Sequence, residues 1–165
     1  NCRKCFLGLF WLVSLLPLQA NAAPRHDQVF GDWKAFCGKN TEGVDNCYVF
    51  QVLSLKREGK QLPLLYVAAG YPPKQDKLLV RVRVPLGVLL RTGVAFRVDE
   101  RKASRHAYSH CEQSGCWAIM SLNDDDVWAL KTGKKAFVTF TNLNNKTFAI
   151  PVSLKGFAAA IKSLK

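Results

Sequence analysis

The sequence predicts a mainly β domain, an antiparallel β-sandwich carrying one short helix and a second helix at its C-terminal end. Three observations carry this expectation. Leu79–Val84 alternates strictly between apolar residues and arginines, the period of a strand with one buried face. Several further short β-branched or aromatic runs follow at close intervals, separated by Gly, Pro and Asn turn signals. Four cysteines spread over the chain beyond residue 22 offer the disulfide staples of a small exported domain.

The first twenty-odd residues read as a targeting segment. Arg3 and Lys4 precede an apolar run over 6–18, and Ala20-Asn21-Ala22 has the small-x-small pattern of a signal-peptidase site. The run lacks the polar face of a core helix and falls short of the about 20 apolar residues that span a bilayer. The expected organisation is a signal peptide over 1–22 and a single domain over 23–165, not membrane-spanning after processing, and periplasmic, secreted or on the outer surface.

Along that domain, 47–55 is β-branched and aromatic on both faces, as for a strand covered on two sides. Residues 64–69 form another strand, ended by Gly70 and Pro72-Pro73; Leu79–Val84 stops at Pro85, and Val94–Val98 follows the turn residues Thr92-Gly93. The set closes with 116–122, 136–142 and 147–152, the last two joined by a turn of Asn142, Asn144 and Asn145. Asn123 or Asp124 caps a short helix through Leu130, with acidic residues in its first turn and Gly133 beyond its end. The stretch 156–164 puts Phe157, Ala160, Ile161 and Leu164 on one helical face.

Cys37, Cys47, Cys111 and Cys116 allow three pairings. The expected bonds are the sequence-local ones, Cys37–Cys47 and Cys111–Cys116, each closing a short polar loop and contributing roughly 2–3 kcal/mol by loop entropy. A four-thiolate zinc site normally has Cys-x₂-Cys knuckles, which these spacings lack.

Four blocks resemble the invasion-associated locus B family: Phe30-Gly31-Asp32-Trp33 leading into Cys37; the run from Val84-Pro85-Leu86-Gly87 through Val88-Leu89-Leu90-Arg91-Thr92-Gly93-Val94; Gly115-Cys116 before an apolar strand; and Ile150-Pro151-Val152-Ser153-Leu154-Lys155-Gly156-Phe157. They occur in order over almost the whole domain. Arg91 stands where the family's turn leads one to expect Pro. The resemblance implies a small periplasmic or surface-associated β-sandwich protein without enzymatic activity or cofactor, from a family named for bacterial entry into host cells and found also in bacteria that do not invade.

The residues themselves point the same way. His106 and His110 have i, i+4 spacing, but Tyr108, Ser109 and Cys111 around them favour a strand or loop, where that spacing does not build a metal site. Asp124-Asp125-Asp126 lacks the remainder of a calcium loop, and no nucleophile elbow or phosphate-cradling Gly loop occurs. Asn145-Lys146-Thr147 matches a glycosylation acceptor. No metal or cofactor is expected, and no catalytic residue is assigned.

The chain holds 24 Lys and Arg against 12 Asp and Glu, which favours anionic partners. Arg81 and Arg83 point outward from one strand, and Arg97, Arg101, Lys102 and Arg105 follow. If the strands around Leu79–Val84 and Val94–Val98 pair as a hairpin, Arg97 joins Arg81 and Arg83 in an anion-binding patch. The function read from this is an exported, non-enzymatic envelope or surface binding protein, for which the family resemblance implies support of host-cell interaction or invasion. Its expected partner is an anionic surface glycan, a lipid headgroup or an acidic protein; export and the lack of a recognised module argue against nucleic acid. The rival readings are a structural envelope factor with incidental charge and a periplasmic enzyme of unrecognised type. The leader is checked by the intact mass of protein recovered from the periplasm: it is expected to begin near Ala23, and a mass retaining 6–18 refutes the assignment.

Overall fold

Strands with one apolar face need a second apolar face to cover them, and this chain supplies both from its own strands. The computed structural model describes residues 23–40 and 42–165; the expected leader lies outside the described residues. The strands are β1 (Val29–Phe30), β2 (Trp33–Lys39), β3 (Asp45–Arg57), β4 (Lys60–Gly70), β5 (Leu79–Val84), β6 (Val94–Val98), β7 (Ser104–His106), β8 (Tyr108–Glu112), β9 (Gly115–Ser121), β10 (Lys135–Thr141) and β11 (Thr147–Ser153). They form two antiparallel sheets, a large one in the order β1-β2-β3-β4-β5-β9-β8 and a small one in the order β11-β10-β6-β7.

The fold is the antiparallel sandwich that the alternation predicts. Val80, Val82 and Val84 of β5, Ala118 and Met120 of β9, Val94, Phe96 and Val98 of β6, and Val138 and Phe140 of β10 all enter one buried cluster. Two helices cover it. Asn123 caps α1 (Asp124–Thr132), its side chain accepting from the Asp126 N–H at 2.8 Å, with three aspartates in the first turn. In α2 (Phe157–Lys162), Phe157, Ala160 and Ile161 are buried, as their spacing requires.

The expected hairpin between β5 and β6 does not form. β5 pairs with β4 and β9, β6 with β10 and β7, and residues 85–93 cross from one sheet to the other. The reason lies in the core: both strands carry a buried apolar face, and placing them in facing sheets lets the two faces cover each other. The crossover is bound to the β10–β11 turn, with Leu89 N–H donating to the Thr141 carbonyl at 2.8 Å and Leu143 N–H to that of Gly87 at 2.9 Å. It closes through a 3-10 turn, Leu90–Thr92, with Arg91 at the place where Pro was expected.

A second expectation also changes. The 47–55 strand is covered on one face only: Val49 and Gln51 are buried, whereas Tyr48 and Phe50 are half-buried and Val52 is exposed. β2 carries the same alternation, Trp33 and Ala35 inward, which the sequence reading did not assign to a strand. β4 begins earlier than expected and accommodates Pro63 beside a register shift between Leu53 and Ser54.

The two ends of the domain lock together. The Trp33 indole N–H and the Gln51 amide both donate to the Ser153 carbonyl, at 2.9 and 2.7 Å, and the Trp33 ring meets Phe157 edge-on at 4.9 Å. Ser153 Oγ donates to Asp32 Oδ2 at 2.6 Å, and the Asp32 N–H to the Lys155 carbonyl at 3.1 Å. Backbones meet here closely enough that a Cβ on Gly31 would lie 2.5 Å from the Lys155 oxygen, and one on Gly156 2.1 Å from the Phe30 oxygen. Both glycines also have positive φ. The disulfides Cys37–Cys47 and Cys111–Cys116 join directly opposed residues of β2–β3 and β8–β9.

Gly156→Ala is therefore expected to cost at least about 1–3 kcal/mol through backbone strain alone, and Trp33→Ala about 3–5 kcal/mol. Denaturant melts measure both; a Gly156→Ala midpoint equal to that of the wild type contradicts the close approach.

Candidate functional site

The outer face of the large sheet carries the residues that alternate with the core. Strand register sets them in rows: Val52, Tyr66, Arg83, Trp117 and His110 lie side by side across β3, β4, β5, β9 and β8. The adjacent row holds Lys34, Phe50, Ala68, Arg81 and Ile119, and the next holds Phe36, Tyr48, Gly70, Leu79 and Ser121. Ring contacts run continuously from His26 through Phe36, Tyr48, Phe50, Tyr66 and Trp117 to His110, with centroid separations of 4.8 to 6.4 Å.

Arg81 and Arg83 are set into this aromatic layer. The Arg81 guanidinium lies 5.0 Å from the Tyr48 ring and 5.7 Å from Trp117; that of Arg83 lies 5.3 Å from Tyr66 and 5.4 Å from Trp117. Among the described residues neither guanidinium forms an ion pair or a hydrogen bond with the protein. Each is thus steadied by ring faces while its N–H fork stays open to an anion. Beside Arg81 a shallow pocket of about 130 Å³ opens over Ala68 and Gly70, walled by Tyr48 and Tyr71. The floor is low because these two residues carry little or no side chain.

Trp117 is oriented from the neighbouring hairpin. Its indole N–H donates to Glu112 Oε1 at 2.8 Å, and Ser114 Oγ donates to the same oxygen at 2.6 Å. Those two bonds hold the Glu112 carboxyl below its ordinary value. Burial, reinforced by Tyr48, pushes the Tyr66 hydroxyl up, so it stays a neutral donor beside the arginines. Burial also pushes Tyr108 up to about 12; its hydroxyl is buried with no hydrogen-bond partner.

The six basic residues singled out in the sequence do not form one patch. Arg81 and Arg83 share the outer face of the large sheet. Arg97 lies on the outer face of the small sheet, its guanidinium 3.9 Å from the Phe137 ring and donating to the Asp99 carbonyl. Arg105 is on β7 and donates to the Thr92 carbonyl. Arg101 sits over the exposed Trp128 ring at 5.8 Å, and Lys102 is exposed beside it in the β6–β7 connection. The split follows from the crossover, which puts β5 and β6 in different sheets. His106 and His110 are separated likewise, in β7 and β8, with His106 bonded to Ser104 Oγ at 2.9 Å and held below its ordinary pKa by burial. Asn145 occupies the β10–β11 turn with φ of 56°.

Tyr48, Tyr66, Trp117 and Glu112 were not anticipated as parts of a site. Their signal was present: each of the three rings sits between neighbours that turn into the core, as do Arg81 and Arg83.

Comparison with known proteins gives a consistent set of matches. The model of the family described as invasion associated locus B (IalB) protein matches residues 33–165. An invasion protein B homologue of Brucella abortus strain 2308 is 30% identical over 164 positions, covering 97% of this chain and 91% of the relative. Another, from Brucella abortus biovar 1 strain 9-941, matches to the same extent. The crystal structure of invasion associated protein B from Bartonella henselae superposes with a TM-score of 0.70 at 22% identity, covering 83% of this chain and 92% of that one.

The Glu112 bonds require the ionised carboxyl in the folded state. Their contribution is complete above the ordinary carboxylate range and is lost as pH falls through the lowered folded value. The Trp117 indole N–H resonance is expected to shift in that acid window and to stop titrating in Glu112→Gln. A resonance that does not move as the acid window is crossed refutes the pairing.

Proposed function

The chain belongs to the invasion-associated locus B family, and from that premise we propose that it works outside the cytoplasm as a non-enzymatic binding protein of the envelope or cell surface, supporting interaction with host cells. The observation that carries this reading is the pair Arg81 and Arg83, held against Tyr48, Tyr66 and Trp117; among the described residues no carboxylate lies within ion-pair distance of either, although Glu112 acts on Arg83 at longer range. Guanidinium groups held on ring faces keep N–H donors available to a carboxylate, sulfate or phosphate from outside. The two disulfides suit an oxidising compartment.

Among anionic partners, a surface glycan fits this face best. Carboxylate or sulfate groups match the guanidinium fork, and the C–H faces of sugar rings carry the partial positive charge that aromatic faces attract. The pocket of about 130 Å³ beside Arg81 offers the polymer a local hollow walled by Tyr48 and Tyr71. The face is broad and open, as a repeating polymer needs.

Binding to an immobilised sulfated or uronate polysaccharide is expected to weaken steeply with salt, since exposed charges are screened within about 8 Å at physiological ionic strength. Replacing Arg81→Gln and Arg83→Gln together should reduce that binding at least about tenfold, the loss of two charge-assisted contacts. The loss of ring contacts should cost stability only about 1 kcal/mol per arginine. Equal binding by the double variant at low salt refutes the site; preference for an acidic peptide, or for anionic vesicles, that is lost in the double variant reassigns its ligand.

A further inference from the structure

Among the described residues the exposed leucines are Leu55, Leu62, Leu86, Leu90 and Leu143, each between 50% and 64% exposed. They belong to three separate connections, yet the topology gathers them at one end of the sandwich. Leu86 and Leu90 are in the crossover that leaves β5 after Val84. Leu143 is in the β10–β11 turn, which is bonded to that crossover through Leu143 N–H to Gly87 and the Val88–Asn142 bridge. Leu55 and Leu62 are directly opposed on the β3–β4 hairpin. Because Tyr66 pairs with Arg83, the hairpin runs on past the level at which β5 stops, with residues 54–56 and 58–63 exposed.

Single exposed leucines are unremarkable, but all of them on one end of a molecule are not. The charge around them is one-sided. The same three connections hold Lys56, Lys60, Arg91 and Lys146 against Glu58, and Glu112 in the neighbouring β8–β9 hairpin is engaged by Ser114 and Trp117.

We propose that this end docks onto an anionic lipid bilayer, the leucines entering the interfacial region and the flanking cations meeting the headgroups. Water-exposed leucines at loop tips gain by transfer into the acyl boundary, each by an amount set by its buried area. Lysines and arginines near an anionic leaflet add attraction that salt weakens. No helix of the described residues is long and apolar enough to cross a membrane. Docked by this end, the molecule leaves the outer face of the large sheet, with Arg81 and Arg83, beside the contact and not beneath it.

The test is flotation of the purified protein with vesicles of phosphatidylcholine alone and of phosphatidylcholine mixed with phosphatidylglycerol. The wild type should float with the mixed vesicles and much less with the neutral ones. Replacing Leu90→Ser and Leu143→Ser together should lower partitioning about tenfold or more, given the apolar area withdrawn. The pair Leu55→Ser and Leu62→Ser, on the projecting hairpin, reads the same surface if the first pair unfolds early. Arg81→Gln with Arg83→Gln should leave flotation unchanged, which separates this surface from the arginine face. Flotation that follows the arginines, that is indifferent to both leucine pairs, or that fails with both vesicle types overturns the proposal.

Discussion

Everything else in this structure depends on the carbonyl of Ser153. It accepts from the indole of Trp33 and the amide of Gln51, two donors of the large sheet, while belonging to the edge strand of the small one. A backbone oxygen has two lone pairs, and here both are used across the sandwich. This is how two buried polar side chains are satisfied inside an otherwise apolar core. The arrangement demands that the chain's first and last strands approach closely, and Gly31 and Gly156 remove the side chains that would prevent it. The Phe30-Gly31-Asp32-Trp33 block and the Ser153-to-Phe157 block are thus the two halves of one contact, far apart in sequence and joined in space.

With the core closed on one side, the large sheet has a free outer face, and its chemistry is unlike that of an ordinary solvated sheet. Lysines and glutamates usually occupy such positions. Here rings from β2, β3, β4 and β9 lean on one another, Lys34 stands exposed beside Phe50, and the two arginines at the centre are both in contact with ring faces. Such contacts restrict the guanidinium groups before any ligand arrives, which lowers the entropy lost on binding. The small Ala68 and Gly70 keep the centre of the face low. A Cβ at Gly70 would lie 2.9 Å from the Cβ of Tyr48, so a larger residue there would disturb the ring as well as fill the hollow.

Much of this was legible in the residues. Strict alternation in Leu79–Val84, the cap at Asn123, the 157/160/161 spacing and the local cysteine pairs each report a short-range rule, and each reappears in the fold. What could not be read was long-range. Whether β6 returns beside β5 or crosses to the other sheet is decided by which apolar faces cover each other, and both outcomes look alike over 79–98. That decision separated Arg97 from Arg81 and Arg83. The aromatic layer was missed for a related reason: in 47–55 the apolar residues on both faces resembled a strand buried twice, and only the sheet order shows that Tyr48 and Phe50 look outward onto arginines rather than into a second core.

One of the disulfides bears directly on the arginine face. β8 is the edge of the large sheet, short and paired only with β9, so its position rests on few backbone bonds. Cys111–Cys116 ties it to β9 at directly opposed positions. Glu112 is the next residue after Cys111, and Trp117 the next after Cys116, so the crosslink brackets the pair whose hydrogen bond aims the indole ring. That ring is shared by Arg81 and Arg83. An edge strand that would otherwise fray therefore becomes a fixed support for two cations on the strand beyond β9, and the support exists only where the thiols are oxidised. The same crosslink that braces the edge strand keeps the arginine face assembled.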